Sequence, residues 1–400
     1  MGAWIPSMAL SMHELADVIG HFLPSIQSSQ KLPAHKLRAL DALLKCRTPY
    51  MGGHVEVCGD CGQVRVAHNS CRNRHCPKCG AIDKEKRVVA READLLEVKY
   101  FHVVFTVPDK LNKLFLVNQQ QMYNLLFSVA WDVLSDFGKD KKWIGGRIGA
   151  TAILHTWGQK LNYHPHLHMI VPAGALMGNG AWKHSRKRGK YLFKVDMLSN
   201  AFRGKFVARA RGLLAAREIM GTMPTGLYEK PWVVYAKQPF GGPKQVVGYL
   251  GRYTHRTAIS NDRILNVTQE KVTFCWRDYA NKYARQVTTM EGHDFLDLFC
   301  QHILPPGYTR IRHYGFLSSA SKRISLATIR KSLGIKHIGA DTPPKPWQQT
   351  VFERMGIQPG ICKCCGGAML IVEVIPDQLH KQTRAPPEKL LDQTAYKSTF

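Results

Sequence analysis

The placement of the cysteines constrains the fold of this chain more than any other feature of its sequence. Of 11 cysteines, five lie between Cys58 and Cys79 and three between Cys362 and Cys365. The total is odd, and the first 20 residues lack the charged start and long apolar core of a secretory signal. Such clusters in a chain without an export signal indicate zinc sites, and disulfides are not expected.

Two CxxC pairs with 14 residues between them predict one structural zinc site. Four thiolates complete a tetrahedral shell and leave no open position for chemistry. The predicted ligands are Cys58, Cys61, Cys76 and Cys79. Cys71 and His75 lie between the pairs and are alternative ligands. Cys362 and Cys365 form half of a similar site, so a second zinc there would need ligands from distant parts of the chain.

The net charge indicates a polyanionic partner. The chain has 56 Lys and Arg against 29 Asp and Glu, a net charge of +27. Self-repulsion of this size destabilises a compact fold unless the partner is negatively charged, as nucleic acid is. An anionic membrane surface is the second candidate. No run of about 20 apolar residues occurs, so no membrane span is expected.

Two segments are expected to contact DNA. The loop between the CxxC pairs is basic, and residues 183–217 carry eleven Lys or Arg and a single acid. The predicted contacts are Arg72, Arg74, Arg186, Lys187 and Arg188. Aromatic side chains near the start of the basic stretch could stack on bases; these are Trp182, Tyr191 and Phe193. A solvated basic face with no ligand is the alternative.

Three histidines alternate within YHPHLHMIV, a run with strand character. Because alternate residues of a strand face the same side, His164, His166 and His168 share one face. An adjacent strand candidate, ATAILHTW, would bring His155 opposite them in a hairpin. We predict a divalent-ion site made by His166 and His168, with His155 as the third ligand and His164 as its competitor. Three imidazoles suit zinc or manganese better than magnesium.

A pair of tyrosines lies in a basic helical segment, GYLGRYTHR. Tyr249 and Tyr253 are four residues apart, so a helix places them on one face about one turn apart. Arg252 and Arg256 flank that face and are further predicted DNA contacts, which would hold a phosphate in line. Phenol is a weak nucleophile at its usual pKa of about 10, and a nearby cation would activate it toward a phosphate.

Other patterns predict the order of elements. Strands are expected at 100–107, 150–157, 164–172, 232–236, 267–276 and 284–289, and helices at 8–24, 34–45, 82–98, 117–137 and 245–260. Pro24 is expected to break the first helix. The chain after Pro306 is expected to be basic and short-helical.

Together these motifs resemble the HUH endonucleases, and within them the rolling-circle transposases of the IS-ninety-one-like group. The matching segments cover most of residues 50–320 in the same order. They are SCRNRHCPKCG, YFHVVFTVP, HTWGQKLNYHPHLHMIVPAG, YLGRYTHR with AISNDRI, and RHYGFLS. The resemblance implies an α+β fold with a ferredoxin-like antiparallel nuclease sheet at 99–300. A helical and zinc-binding module at 1–98 precedes it, and a basic region with a loose tail follows at 301–400.

The resemblance also implies a mechanism. A divalent ion, Mg²⁺ or Mn²⁺, on the histidines polarises a phosphate of single-stranded DNA, which Tyr249 or Tyr253 attacks to leave a 5′-phosphotyrosine. The DNA partners are the ends of the element and its target, in the cytoplasm of a bacterium and in association with the nucleoid. A replication initiator or relaxase with the same chemistry is one alternative. A non-catalytic zinc-dependent DNA-binding regulator and a metal hydrolase of small substrates are two others.

Overall fold

Antiparallel sheets flanked by helices make up this protein, which is described by a computed structural model. The structure describes residues 13–80, 94–240, 257–278, 281–335 and 360–378, with single positions at Val246, Gln349, Phe352, Glu353 and Gln358. The strands are β1 (Gly53–Cys58), β2 (Val64–His68), β3 (Tyr100–Thr106), β4 (Gly149–Trp157), β5 (Tyr163–Pro172), β6 (Gly174–Leu176), β7 (Trp182–His184), β8 (Val234–Phe240), β9 (Ile264–Val267), β10 (Lys271–Asp278), β11 (Ala284–Glu291), β12 (Ile311–Gly315) and β13 (Met369–Ile375).

The helices connect and cover these strands. They are α1 (Leu15–Ser29), α2 (Ala34–Lys45), α3 (Asn112–Val117), α4 (Gln119–Lys139), α5 (Val195–Ala215), α6 (Gly292–Gln301) and α7 (Lys322–Ser332). Single helical turns occur at Pro49–Met51, Asp109–Leu111, Arg186–Gly189 and Asn261–Arg263. The α+β class is therefore confirmed.

A five-stranded antiparallel sheet, in the order β12-β4-β5-β3-β8, forms the centre of the fold. Alternation along β5 turns Leu167, Met169 and Val171 to one face, where all three are fully buried. Helices α3, α4 and α5 supply the opposing apolar side chains, among them Phe115 and Phe202. This layer of helices fixes which face of β5 is left for polar side chains.

On the opposite face of the central sheet, α7 and its neighbours cover one end. Ile153 of β4 and Ile170 of β5 pack there with Phe316, Leu326 and Ile329. The histidines of β4 and β5 lie on this same face, farther along the strands. The fold therefore places them beside an apolar cluster and away from the helical layer.

A second core joins the N-terminal helices to a small sheet, β11-β10-β9. Phe22 of α1 and Leu40 of α2 pack with Phe274 and Phe299, and four buried cysteines belong to this core. Pro24 lies inside α1, so the prediction that it ends the helix is wrong. Tertiary burial of Phe22 and Ile26 on either side of it holds the helix together.

Two strands from the C-terminal quarter of the chain join sheets built from earlier residues. Strand β12 pairs with β4 at the edge of the central sheet, and β13 pairs with β1. At the end of β12, Gly315 has a φ of 62°, and a Cβ there would collide with the backbone of Ile148. The expectation of a purely short-helical region after Pro306 is therefore wrong for residues 311–315.

Most of the predicted elements are present. The strands at 100–107, 150–157 and 164–172, the hairpin of the last two, and the helix at 117–137 are confirmed within two to three residues. The strand predicted at 267–276 is divided between β9 and β10, with β10 starting at Lys271. The predicted helices at 82–98 and 245–260 fall largely on residues outside the described ranges.

Candidate functional site

The β4–β5 hairpin brings the predicted histidines together. His155 is directly opposite His166, and His168 is opposite Ile153, in the antiparallel register. Side chains of directly paired residues share a sheet face about 5 Å apart. The ligand atoms of His155, His166 and His168 all lie within 4.8 Å of one another, so these three side chains form one cluster.

The hydrogen bonds of His166 and His168 prepare both rings to bind a cation. His166 Nδ1 lies 2.6 Å from the carbonyl oxygen of His164, and only a protonated Nδ1 can donate to that acceptor. The neutral His166 ring therefore has a lone pair on Nε2. That atom is 3.1 Å from Nε2 of His168, a separation that two nitrogens bound to one ion at about 2.1 Å would also adopt. The donor set thus fits a divalent cation.

Burial keeps the His166 ring neutral. Desolvation, reinforced by the nearby His164, lowers the pKa of His166 to about 4. A neutral imidazole is the metal-binding form, so His166 is ready to bind a cation at neutral pH. His155 and His168 are buried, whereas His166 is only half-buried. The cluster is therefore open to solvent on the side of His166.

His155 is held in place by its neighbours in β4. Its ring stacks on Trp157 with centroids 4.9 Å apart. The intervening Thr156 hydroxyl lies 3.2 Å from Nδ1 of His302, whose Nε2 lies 2.8 Å from the carbonyl oxygen of Leu161. This buried bridge ties the end of β4 to the residue after α6. His164, the predicted competitor, lies outside the three-histidine cluster.

Sequence reasoning missed His102 of β3. Its Nε2 is 2.8 Å from Nδ1 of His168, and the two rings are stacked. When His168 donates through Nδ1, its Nε2 carries the lone pair that can bind a cation, and fixing the ring in this way is the usual role of a partner behind a metal-ligating histidine. The signal was present in YFHVVFTV, because His102 alternates with the buried Phe101 and Val103 and so faces the same side as the cluster.

The predicted nucleophiles are not part of the described structure. Tyr249, Tyr253, Arg252 and Arg256 lie in the segment 247–256, outside the described residues. Their predicted roles therefore stay predictions.

The predicted zinc ligands are divided between two clusters, which corrects the grouping inferred from spacing. Cys76 and Cys79 lie with Cys71, the predicted alternative, and with Cys46, which follows α2. The Sγ atoms of Cys71 and Cys79 are 3.7 Å apart, close to the roughly 3.8 Å edge of a zinc–thiolate tetrahedron. His75, the other alternative, is instead within reach of the Leu304 backbone N–H.

Cys58 and Cys61 belong to the second cluster, with Cys362 and Cys365. The β1–β2 hairpin causes the division. Its tip carries Cys58 and Cys61, while the chain beyond β2 carries Cys71, Cys76 and Cys79 of the first cluster. The five residues of β2 between them span about 17 Å. One ion cannot bridge that distance.

A basic cavity adjoins the first cysteine cluster. It has a volume of about 380 Å³ and is lined by Arg72, Arg74 and Arg310, with Thr257 and Tyr308. The Arg310 carbonyl accepts a hydrogen bond of 3.0 Å from the Leu154 N–H, one residue before His155. Two predicted DNA contacts therefore line one cavity, together with a residue that is hydrogen-bonded to β4. Arg310, which sequence reasoning missed, is mostly buried beside them.

Arg186, Lys187 and Arg188 form an exposed turn between β7 and α5. Lys187 and Arg188 both have left-handed backbone angles, with φ of 51° and 53°, a conformation that costs a non-glycine residue about 1–3 kcal/mol. The predicted stacking role of Phe193 is wrong, because its ring is buried in the central core against Trp143.

Comparison with known proteins identifies the family. A family model described as "Transposase zinc-binding domain" matches residues 18–107, and one described as "Putative transposase" matches residues 149–324. "Putative transposase y4qJ" from Sinorhizobium fredii is 36% identical over 385 residues, which cover 92% of this chain and 96% of that protein. The chain belongs to the IS-ninety-one-like transposases.

A second relative of this transposase comes from Pseudomonas savastanoi pv. phaseolicola. The "Transposase for insertion sequence element IS801" is 27% identical over 350 residues, which cover 85% of this chain and 84% of the relative. No solved structure matches this transposase. Among the residues that the structure describes, no helix has the length and apolar character needed to cross a membrane.

Proposed function

We propose that this transposase nicks and rejoins single-stranded DNA through a 5′-phosphotyrosine intermediate, in rolling-circle-like transposition. The observation that carries this proposal is the cluster of His155, His166 and His168, whose ligand atoms lie within 4.8 Å of one another on a half-open sheet face. A non-catalytic regulator has no use for three imidazoles grouped in this way.

The histidines would hold a divalent ion, Mg²⁺ or Mn²⁺, in the cluster. Such an ion would withdraw electron density from a phosphate oxygen of the DNA backbone. His102 supports this arrangement by accepting the Nδ1–H of His168. His164 supports it through its carbonyl oxygen, which orients His166.

Tyr249 or Tyr253 supplies the nucleophile in this proposal. The phenol oxygen forms a bond to phosphorus as its proton leaves, and the bond from phosphorus to the 3′ oxygen breaks. The 3′ oxygen takes up a proton and becomes a free hydroxyl, while the 5′ phosphate remains on tyrosine. Because the phosphodiester energy is kept in this bond, a 3′ hydroxyl can reverse the step and rejoin the strand without ATP. Two tyrosines would allow one strand to be held while another is cut.

Tyr163, the tyrosine that adjoins the histidines in the sequence, is poorly suited to this role. Burial raises the pKa of Tyr163, next to His164 in the sequence, well above its usual value. Its hydroxyl is 2.6 Å from that of Tyr123 in the core. Tyr235 is half exposed on β8 and shares the sheet face of His168 through Val104 of β3. Its substitution therefore provides a matched control for the removal of a phenol oxygen on this face of the sheet.

The basic surfaces would hold the strand in place. Arg72, Arg74 and Arg310 surround the cavity beside β4, and guanidinium groups bind phosphates in a bidentate manner. The exposed turn at Arg186, Lys187 and Arg188 lies in the basic stretch between β7 and α5. We infer that these groups bind DNA in the cytoplasm, in association with the nucleoid.

Covalent trapping tests the proposal. Labelled single-stranded DNA carrying an element end is incubated with the transposase and Mn²⁺, and the denatured protein is digested and analysed by mass spectrometry. We expect a nucleotide-modified peptide containing Tyr249 or Tyr253. The double variant Tyr249→Phe/Tyr253→Phe should lose the adduct while its DNA affinity stays within about fivefold, since the two phenol oxygens together contribute less than about 1 kcal/mol to that binding.

The control variant is Tyr235→Phe, which should form adducts at the rate of the unmodified transposase. Adducts that persist in the double variant, or that disappear in Tyr235→Phe, would assign the nucleophile elsewhere. No adduct from any form of the protein, in the presence of measurable DNA binding, would favour a regulator.

A further inference from the structure

The second cysteine cluster joins two parts of the chain that are far apart in sequence. Cys61 and Cys362 are separated by 301 positions, yet their Sγ atoms are 3.7 Å apart, and those of Cys58 and Cys365 are 3.4 Å apart. A disulfide needs about 2.05 Å between sulfurs, so these are not disulfides. Four thiolates on one zinc ion at about 2.3 Å have sulfur–sulfur separations near 3.8 Å, which these distances approach.

The two halves of the cluster have the same backbone turn. In the first half, the Gly62 N–H donates to the Cys58 carbonyl at 3.1 Å, and the Cys58 N–H to the Gln63 carbonyl at 2.9 Å. In the second half, the Gly366 N–H donates to the Cys362 carbonyl at 3.1 Å, and the Cys362 N–H donates to the Gly367 carbonyl at 2.8 Å.

The glycine that follows each Cys-x2-Cys pair also has the same backbone conformation in both halves. Gly62 has a φ of 71° and Gly366 a φ of 82°, the left-handed conformation that glycine adopts without strain. Each half is therefore a Cys-x2-Cys-Gly knuckle, and two such knuckles commonly supply the four ligands of a structural zinc.

Backbone N–H groups point at the sulfur atoms of the second knuckle. The Cys364 N–H is 3.4 Å from Sγ of Cys362, and the Gly367 N–H is 3.4 Å from Sγ of Cys365. Hydrogen bonds to the charged form favour a thiolate over a thiol, and the thiolate is the form that binds metal. The geometry of this knuckle is therefore suited to a metal ligand.

The sheet that carries the knuckles has little apolar burial of its own. Strand β13 pairs with β1, and β1 with β2, but Val64, Val66, Leu370 and Val374 are each more than half exposed. Within the described residues, this three-stranded sheet has no apolar layer against those side chains. Small sheets without a buried face are marginal in water, and a metal is a common way to stabilise them.

We propose that Cys58, Cys61, Cys362 and Cys365 bind a second structural zinc ion, which fastens β13 to the N-terminal hairpin. This site is separate from the cluster that contains Cys46, and its second knuckle lies beyond residues 18–107, where the zinc-binding family model matches. The proposal does not depend on the nickase chemistry.

Zinc content tests the proposal. The full-length transposase, purified with a reductant, should contain two zinc ions per chain by plasma mass spectrometry. The double variant Cys362→Ser/Cys365→Ser should contain one. Cys364→Ser is the matched control, because Cys364 lies between these ligands but outside the cluster; it should keep two. One zinc in the unmodified chain, two in the double variant, or iron in place of zinc would overturn the proposal.

Alkylation of the unmodified chain gives a second test that does not require a variant to fold. Cys61, Cys364 and Cys365 are all exposed, so burial alone predicts that iodoacetamide modifies all three. With zinc bound, Cys364 should react at least about tenfold faster than Cys61 and Cys365, because a zinc-bound thiolate is a weaker nucleophile than a free one. A chelator should abolish that difference. Equal rates before chelation would contradict the site.

Discussion

Replacing His166 with alanine should reduce DNA cleavage by about 1,000-fold or more while leaving the fold intact. Lewis-acid stabilisation by a bound metal is worth several kcal/mol, and about 4 kcal/mol corresponds to that loss of rate. His166 is half-buried and is not a member of the apolar cores, so its removal should lower the free energy of unfolding by no more than about 1 kcal/mol. Single-turnover cleavage of labelled DNA and thermal unfolding measure the two effects.

His164→Ala is the matched control. His164 is two residues away on the same strand, and its ring is 5.1 Å from that of His166, but its side chain lies outside the cluster. Its orienting contact is made by the backbone carbonyl, which alanine retains. Cleavage by this variant should stay within about fivefold of the unmodified rate, a loss of about 1 kcal/mol. A larger loss for His164→Ala than for His166→Ala would mean that the ligands have been misassigned.

Replacing Cys76 with alanine should unfold the N-terminal region. Structural zinc sites contribute about 10–16 kcal/mol in small zinc-binding peptides, comparable with the whole stability of an ordinary domain. Cys46, Cys76 and Cys79 also belong to the core that holds α1, α2 and α6, so loss of the ion should expose that core. We expect loss of one zinc per chain and rapid proteolysis within residues 13–80.

The control for this effect is Cys300→Ala. Cys300 is buried in the same core but outside both cysteine clusters, so it tests the loss of one buried sulfur without the loss of a ligand. Its substitution should lower the free energy of unfolding by about 1–2 kcal/mol and leave zinc content unchanged. Protease resistance of Cys76→Ala equal to that of Cys300→Ala would mean that this cluster is not structural.

The histidine site was predictable because a strand has a fixed period. Three histidines at a spacing of two must share a face, and the buried Leu167 and Met169 between them decide which face that is. The position of His155 opposite these histidines was predictable because a short loop joins the two strands in a hairpin. His102 was missed because its contact with His168 depends on the β3–β5 register, which joins residues more than 60 positions apart.

The cysteine grouping was not predictable from spacing alone. Spacing within the sequence suggested that the nearest two CxxC pairs share an ion, but the β1–β2 hairpin separates them in space. Cys46 has no CxxC partner, and Cys362 meets Cys61 only because β13 pairs with β1. Strand pairing between distant segments leaves no periodic pattern in the local sequence. The grouping of these cysteines and the pairing of β12 with β4 could therefore be seen only in the folded chain.

The predicted division of the chain at residues 98 and 300 does not coincide with the boundaries of the sheets. Strand β12 belongs to the sheet that holds the histidines, and β13 belongs to the sheet of the β1–β2 hairpin. A truncation after residue 300 would therefore remove a strand from each. We propose that both modules need the C-terminal quarter of the chain to fold completely.

The central claim is that a cation on the three histidines contacts the phosphate that is cleaved. A DNA strand with sulfur in place of a non-bridging oxygen at that phosphate tests this contact, because sulfur binds Mg²⁺ poorly and softer ions better. We predict that the sulfur slows cleavage at least about tenfold in Mg²⁺ and that Mn²⁺ restores the rate. Equal slowing by sulfur in both ions, for each of the two stereoisomers, would contradict the claim.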